Sequence, residues 1–343
     1  MSHLCFRGRH ARRFFLAAAA AAFGSPALAD HAGPGSVGSG AGFSVFSPDT
    51  LDHGQGAAGL RLFFTKPEQR SDEELAALAG HHVHAHNANY HLNGAIGVAY
   101  GLTHHLTISA ELPYVRHDDI REGEHGHDAG GAVNEVVRLG SVSGVGDLNL
   151  LAKYRLTAGD KLAFALIGGI KLPTGSTHRR SNDGERLETE HQPGTGSWDP
   201  IVGAAASARL GEVTLTSSAV YQIATRGAQN TKLGDRLRAG VALSRQFGEA
   251  PHDHAAPGGS EHGHSSWTAF VELAGEWEGR QEIAGETARD SGGRWVYAAP
   301  GVRFNAASGW SAAASVAVPL WQDIRSAHPD NRYRLMMSLG RQF

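Results

Sequence analysis

The chain has little of what usually stabilises an exported domain. Its 343 residues include one cysteine, Cys5, so no disulfide can form within the chain. Beyond the N-terminal stretch, no apolar run approaches the roughly 18 to 20 residues that a membrane helix needs. Basic residues are not in excess, with 31 Lys and Arg against 34 Asp and Glu, which argues against nucleic acid as a partner. The fold must therefore be stabilised by its own hydrogen-bonded framework or by a membrane.

Residues 1–29 have the pattern of a secretory signal. Four arginines precede an apolar core, and Ala27-Leu28-Ala29 stands just before Asp30. Sec-type export and cleavage would remove Cys5 and change the formal net charge from −3 to about −7. Residues 30–55 are rich in Gly and Ser and are predicted to be a flexible lead-in with a short ordered piece near residues 43–51. This lead-in could hang in the periplasm or enter a lumen.

A predicted hairpin over residues 144–173 shows the two-residue repeat of apolar side chains in the folded part of the chain, residues 56–343. Apolar residues take every second position in both halves, and residues 157–160 form the turn between them, which predicts two amphipathic strands. Each strand has about ten to thirteen residues, roughly twice the usual strand length and close to what a tilted strand needs to cross a bilayer. The first half shows the alternation in Leu148, Leu150, Ala152, Tyr154 and Leu156.

The same alternation recurs along the chain and predicts an all-β fold, an outer-membrane antiparallel β-barrel of about twelve strands. Most links after even-numbered strands are short and those after odd-numbered strands are long and polar, as in such barrels. One long polar loop is predicted over residues 117–143. The link after strand eight, residues 248–266, is long on the short-turn side, which means either an insertion or a count wrong by one hairpin. An exported soluble β-protein is the alternative.

The C-terminal strand alternates from Tyr333 and ends in the aromatic Phe343. Such an ending resembles the signal that the barrel-assembly machinery of Gram-negative bacteria reads. The expected location is therefore their outer membrane, and the expected partners are its lipid, that machinery and a small-molecule or metal solute.

Several short sequences resemble a family of outer-membrane proteins named for the MetA pathway of phenol degradation. They are GVGDLNLLAKYRL (144–156), GGIKLPTG (168–175), GTGSWDPIVGAAAS (194–207), ELPYVR (111–116), AAPGVRF (298–304) and VPLW (318–321). The resemblance implies a barrel of the twelve-stranded type and a transport role, and it supplies no substrate. The His-rich loops depart from the family pattern, so the family name alone does not assign an aromatic solute to this chain.

Histidines concentrate in three predicted loops. Imidazoles and carboxylates at this density can bind zinc, copper, nickel or cobalt. No fixed spacing such as HExxH is present, so weak, exchanging binding is predicted, with affinity falling as pH drops through about 6.5. No cofactor is required, and the alternative is a solvated polar loop. The candidate ligands are His81, His82, His84, His86 and His91, then His117, His125 and His127 with Asp118, Asp119 and Asp128, then His252, His254, His262 and His264.

Charged residues within the predicted strands define a second candidate site. An Arg or Lys facing lipid at mid-depth costs roughly 2 to 4 kcal/mol, so period two directs these charges inward. They could line a polar path that sets selectivity, or pair across the lumen and brace a plugged barrel. The set is Glu111, Asp147, Lys153, Arg155, Lys171, Arg236, Arg238, Glu272, Glu276 and Arg303.

Three functions follow from these patterns. The first is an outer-membrane channel or transporter for a small solute, aromatic or metal-linked, with metal-binding loops. The second is a non-conducting structural or metal-binding barrel. The third, a barrel lipid hydrolase, needs Ser, His and an orienting polar group on neighbouring strands. Because no histidine falls inside a predicted strand, a non-enzyme is expected.

Overall fold

Twelve antiparallel strands close into one barrel in the computed structural model, which describes residues 42–83, 85–128, 131–159, 161–248, 265–325 and 328–343. Each strand pairs with its neighbours in sequence, and β12 pairs with β1 to close the barrel. The strands are β1 (Gly56–Pro67), β2 (Tyr90–Thr103), β3 (Leu106–Asp128), β4 (Leu148–Ala158), β5 (Leu162–Leu172), β6 (Asp199–Leu210), β7 (Val213–Gln222), β8 (Arg236–Phe247), β9 (Ser266–Glu278), β10 (Gly293–Asn305), β11 (Trp310–Gln322) and β12 (Asn331–Gln342).

Side-chain burial follows the period-two pattern. In β2 the inward residues Ala95 and Ala99 are buried, whereas the outward Ile96 is 64% exposed and Val98 is 53% exposed. Large apolar side chains are exposed in the same way on every barrel strand. A continuous apolar outer face is stable in hydrocarbon and would be unfavourable in water. The predicted twelve-stranded barrel is therefore confirmed, and its outer face is a lipid-contacting surface.

The link after β8 is an insertion, because β8 pairs directly with β9, with Phe247 opposite Trp267. The strand count is therefore not wrong by one hairpin. Residues 249–264 lie outside the described residues, and with them the third histidine group, His252, His254, His262 and His264.

The predicted loop over residues 117–143 is wrong. Strand β3 continues to Asp128 and pairs with a return strand, Gly131–Val145, so that a long hairpin extends beyond the barrel. Few inward positions of this hairpin are apolar, so its alternation was weak, but Ile120 and Val142 are buried in a small core. Helix α1 (Asp72–Gly80) packs on the hairpin, and its cap residue Ser71 forms a full capping box with Glu74.

The other long links that follow odd-numbered strands form a folded cap at the same end, which we name the loop end. The short strand His86–Asn87 pairs with Arg121 and Glu122 of β3. A small sheet joins Thr231–Lys232 to Glu282–Ile283 and Glu286–Thr287. The opposite end, with the short connections, is the turn end. No helix among the described residues is long and apolar enough to cross a membrane.

Candidate functional site: the lumen and the outer mouth

Residues 42–51, which we name the lumen segment, run inside the barrel. At the turn end the Leu51 N–H donates to Thr107 Oγ1 over 2.8 Å, and at mid-height the Phe46 N–H donates to Ser218 Oγ over 2.9 Å. Phe46 packs in an apolar cluster of inward residues on β4 to β7. The sequence left two positions open for the lead-in, the periplasm and the lumen, and residues 42–51 lie in the lumen.

Glu272, the middle residue of β9, anchors the lumen segment. Its Oε1 accepts hydrogen bonds from the backbone N–H groups of Ser44 (2.9 Å) and Val45 (3.1 Å). Arg303 donates to the Gly42 carbonyl over 3.3 Å. Lys153 donates to the Ser47 carbonyl over 3.0 Å. Three of the predicted lumen charges therefore hold a backbone segment that crosses the lumen.

The predicted lumen charges all lie on inward positions, and most of them pair with another charge. Arg236 donates to Glu278 over 3.1 Å, and Arg238 stands directly opposite Glu276 on the neighbouring strand. Near the turn end, Arg155 donates to the carbonyl of His104 over 2.8 Å. The lumen of this conformation is thus braced by pairing and filled by the lumen segment.

Two lumen arginines were missing from the predicted set. Arg61 of β1 pairs with Glu111, and Arg334 of β12 binds both carboxylate oxygens of Glu276, at 2.9 and 3.2 Å. Arg334 also lies over the ring of Tyr297, 4.8 Å from its centroid. The signal for both was their parity, since each alternates with outward apolar neighbours.

At the loop end, three of the family-like motifs meet in one buried network. Lys171 Nζ lies 2.7 Å from Asp199 Oδ2 and 3.2 Å from Asp147 Oδ2, and it also donates to Thr195 and Ser197. Asp147 in turn accepts from the backbone N–H groups of residues 175 and 195. The predicted lumen charges Asp147 and Lys171 therefore fix the loop over residues 173–198 to the barrel.

The same loop folds back on itself at two glycines. A Cβ on Gly194 would lie 2.4 Å from the carbonyl carbon of Gly175. This close approach of two backbones explains why the motifs around residues 175 and 194 each end or begin in glycine.

The eight candidate histidines between residues 81 and 127 do not form one cluster, as far as the structure describes them. His81 and His82 are exposed, and the ring of His82 lies 4.4 Å from that of His125. His84 lies outside the described residues, as does the side chain of His127. His86 is buried and turns toward a different loop, which places it apart from His81 and His82.

His91 and His117 were wrongly assigned to loops, and they lie inside β2 and β3. They face each other in register, and their Nδ1 atoms are 2.7 Å apart. Inward positions near the loop end are polar, so a strand accepts histidine there. The ground for excluding a hydrolase, that no histidine lies in a strand, is therefore wrong.

A set of ligands that the sequence did not reveal lies around His86. One ligand atom each from His86, Glu190 and His191 come within 4.8 Å of one another. The ring of His328 lies 4.4 Å from the ring of His86. Glu190 and His191 are adjacent, but they lie far in sequence from His86 and from His328, so no spacing pattern points to the set.

Two carboxyl groups of the loop end have shifted pKa values. Burial alone would raise the pKa of Asp118, but hydrogen bonds from Arg116 and Ser141 lower it below the usual range. Burial, together with the nearby charge of Glu68, raises the pKa of Asp330. Asp118 thus holds the base of the hairpin as an anion.

Comparison with known proteins gives one family and a common fold. A family model described as "Putative MetA-pathway of phenol degradation" matches residues 80–255, half of the chain. The solved structure of an outer membrane channel from Pseudomonas putida F1 is 17% identical, with a TM-score of 0.56, over 86% of this chain and 97% of that chain. LpxR from Salmonella typhimurium is 12% identical, with a TM-score of 0.39, over 82% and 99%. No curated protein matches. The first of these structures confirms the barrel fold.

Proposed function

The chain belongs to the family described as "Putative MetA-pathway of phenol degradation", and from that membership we propose that it is a channel for a small solute. It lies in the outer membrane of a Gram-negative bacterium, with its apolar face in lipid, its loop end outside the cell and its turn end in the periplasm. In the proposal, residues 42–51 close the lumen and solute passes when they are displaced.

The observation that carries this proposal is the polarity of the interior. Buried side-chain atoms of Arg61, Asn93, Glu111 and Asn149 have no hydrogen-bond partner within the described protein. Buried polar groups are costly unless they are hydrogen-bonded, so this wall, formed by β1 to β4, is suited to water or a polar solute. A barrel whose only task was structural would be more stable with an apolar interior.

The lumen segment has the character of a removable plug. It forms no strand and joins no sheet, and it is held by separate hydrogen bonds to inward side chains such as Glu272, Ser218 and Thr107. Each such bond contributes about 0.5 to 1.5 kcal/mol, or about 1.5 to 3 kcal/mol where the partner is charged. Removing the segment would leave every inter-strand hydrogen bond of the barrel in place.

The lining beside the segment favours a small aromatic solute with a polar group. The ring of Phe43 lies 6.0 Å from that of Phe63 and 6.2 Å from that of Phe270. Arg61 lies over Phe63 at 5.3 Å and pairs with Glu111. Aromatic edges and faces next to a paired Arg and Glu offer stacking and hydrogen bonding together. The family description supports the same solute class.

Weak metal binding by the exposed loop histidines is kept as a second proposal. Its support is the 4.4 Å separation of the His82 and His125 rings. A non-conducting structural barrel is the alternative, and a lipid hydrolase is not proposed. We also propose that the assembly machinery recognises the C-terminal strand through Phe343, whose side chain is largely exposed.

Liposome swelling tests the channel proposal. The mature chain and a variant lacking residues 30–51 are reconstituted at equal density, and swelling is followed in a sugar, in an aromatic acid and in a neutral phenol. The variant should admit small solutes faster than the mature chain does, with the aromatic compounds favoured. Impermeability of both chains, with heat-dependent gel mobility proving that both are folded, would leave the structural role instead.

A further inference from the structure

Three outer loops bring three imidazoles and a carboxylate together at the loop end. His86 lies on its short strand, Glu190 and His191 on the 3-10 turn Thr189–His191, and His328 between β11 and β12. The three histidines are 5%, 1% and 6% exposed. Such burial is unusual for three ionisable side chains in outer loops, and it indicates that they share a task.

The distances suit a metal ion. Glu190 Oε1 lies 3.5 Å from His86 Nδ1 and 3.7 Å from His191 Nε2. A tetrahedral ion with ligand bonds of about 2.0 to 2.1 Å needs its ligand atoms about 3.4 Å apart, so these two distances are already near the required values. The ring of His86 stands between the rings of His191 (4.6 Å) and His328 (4.4 Å). His328 therefore borders the three-residue set through the ring of His86.

The surroundings hold the carboxylate in place. Gln281 Nε2 donates to Glu190 Oε2 over 2.8 Å, which leaves Oε1 directed at the two imidazoles. The neighbouring Gln192 is buried and bonds to the backbone of Arg179 and Leu187, which fixes the turn that carries His191. Hydrogen bonds of this kind orient metal ligands in known sites.

The charge balance also favours a cation. In the part of the chain that the structure describes, Glu190 has no Lys or Arg within ion-pair distance, and its charged-group contacts are the two histidines. No Lys or Arg of the described residues therefore meets the negative charge of this mostly buried carboxylate. A divalent ion would compensate that charge and use all the ligand atoms.

We propose that His86, Glu190 and His191 bind one divalent transition-metal ion of the Zn²⁺ class, which joins two outer loops at the mouth of the barrel, with His328 of a third loop beside it. His86 alone was among the ligands expected from sequence, and the site differs from the exposed pair His82 and His125 in being buried and pre-ordered. Its occupancy is independent of whether the barrel conducts.

Calorimetry on the folded, chelator-treated mature chain tests this site, with Zn²⁺ as the probe. The wild type should bind one ion per chain with the highest affinity. Gln281→Ala should weaken that step about 10- to 100-fold, as loss of an orienting partner does, and the double variant His86→Ala/His191→Ala should weaken it further. The matched control, His82→Ala/His125→Ala, should leave this step unchanged.

The visible absorption of bound Co²⁺ reports on the ligands themselves and, unlike the calorimetric affinity, does not depend on loop stability. Co²⁺ bound by His and carboxylate in tetrahedral geometry gives intense visible absorption, which the wild type should show and the isosteric variant Glu190→Gln should alter. All variants are checked for heat-dependent gel mobility. Absence of a one-to-one Zn²⁺ step in the wild type, or an unchanged step in the His86/His191 double variant, would overturn the proposal.

Discussion

Replacing Glu272 by Gln should loosen the lumen segment without disturbing the barrel. Glu272 is fully buried, and one of its oxygens accepts both anchoring hydrogen bonds, from Ser44 and Val45. Gln keeps the shape and one carbonyl oxygen but removes the negative charge. Since a hydrogen bond to a charged group contributes about 1.5 to 3 kcal/mol and a neutral one about 0.5 to 1.5 kcal/mol, each bond weakens by about 1 kcal/mol.

Two such bonds together give a loss of about 2 kcal/mol in the free energy that holds the segment. Because about 1.4 kcal/mol corresponds to a factor of ten, the population with the segment displaced should rise roughly 30-fold. This rise can be measured even when the displaced population is small, provided that the assay detects each displacement of the segment and not its average position.

Thiol labelling is such an assay, since the only cysteine of the chain is Cys5, within the expected signal segment. Val45 is 1% exposed, so the variant Val45→Cys places a protected thiol on the segment. Its reaction rate with a small maleimide should increase roughly 30-fold when Glu272→Gln is added. The control is Glu212→Gln, because Glu212 is exposed in the turn between β6 and β7 and pairs with Arg245 alone among the described residues. Equal labelling rates with and without Glu272→Gln would refute the anchoring role.

Three further predictions concern the barrel and its loops. Glu276→Ala leaves the buried Arg334 without its carboxylate partner and should lower the free energy of unfolding by about 3 to 5 kcal/mol, measured by urea titration in detergent. Lys171→Met leaves two buried carboxylates without their cation, so limited proteolysis should cut the loop over residues 173–198 earlier than in wild type, whereas Lys161→Met at the turn end should not change cutting there. Ser71→Ala removes the cap of α1 and should cost about 1 kcal/mol of local stability. Amide exchange should become faster within the helix and stay unchanged in β7.

The barrel was predictable from sequence because lipid imposes a strict rule on every outward position. Leu148, Leu150, Ala152, Tyr154 and Leu156 take every second position because the lipid-facing side must be apolar. The rule does not apply beyond the membrane. In the hairpin that extends beyond the membrane to Asp128, few of the paired residues are apolar. The sequence alternation there is therefore weak.

The pairing inside the lumen could be predicted only in part. Parity placed Glu111 and Glu276 inward, but their partners lie on strands that are not adjacent, Arg61 on β1 and Arg334 on β12, and they meet only because the sheet curves into a barrel. Likewise, Glu190 and His328 reach His86 only because three distant loops fold over one mouth. Such sites depend on long-range geometry and leave no spacing signal in the sequence.

Single-channel conductance across a planar bilayer tests most directly whether the lumen segment closes a pore. The mature chain and the chain lacking residues 30–51 are compared at the same ionic strength, after heat-dependent gel mobility has shown that both are folded. The account predicts brief, rare openings for the mature chain and long, stable openings for the shortened chain, with Glu272→Gln between them. A folded, shortened chain that carries no current would contradict it.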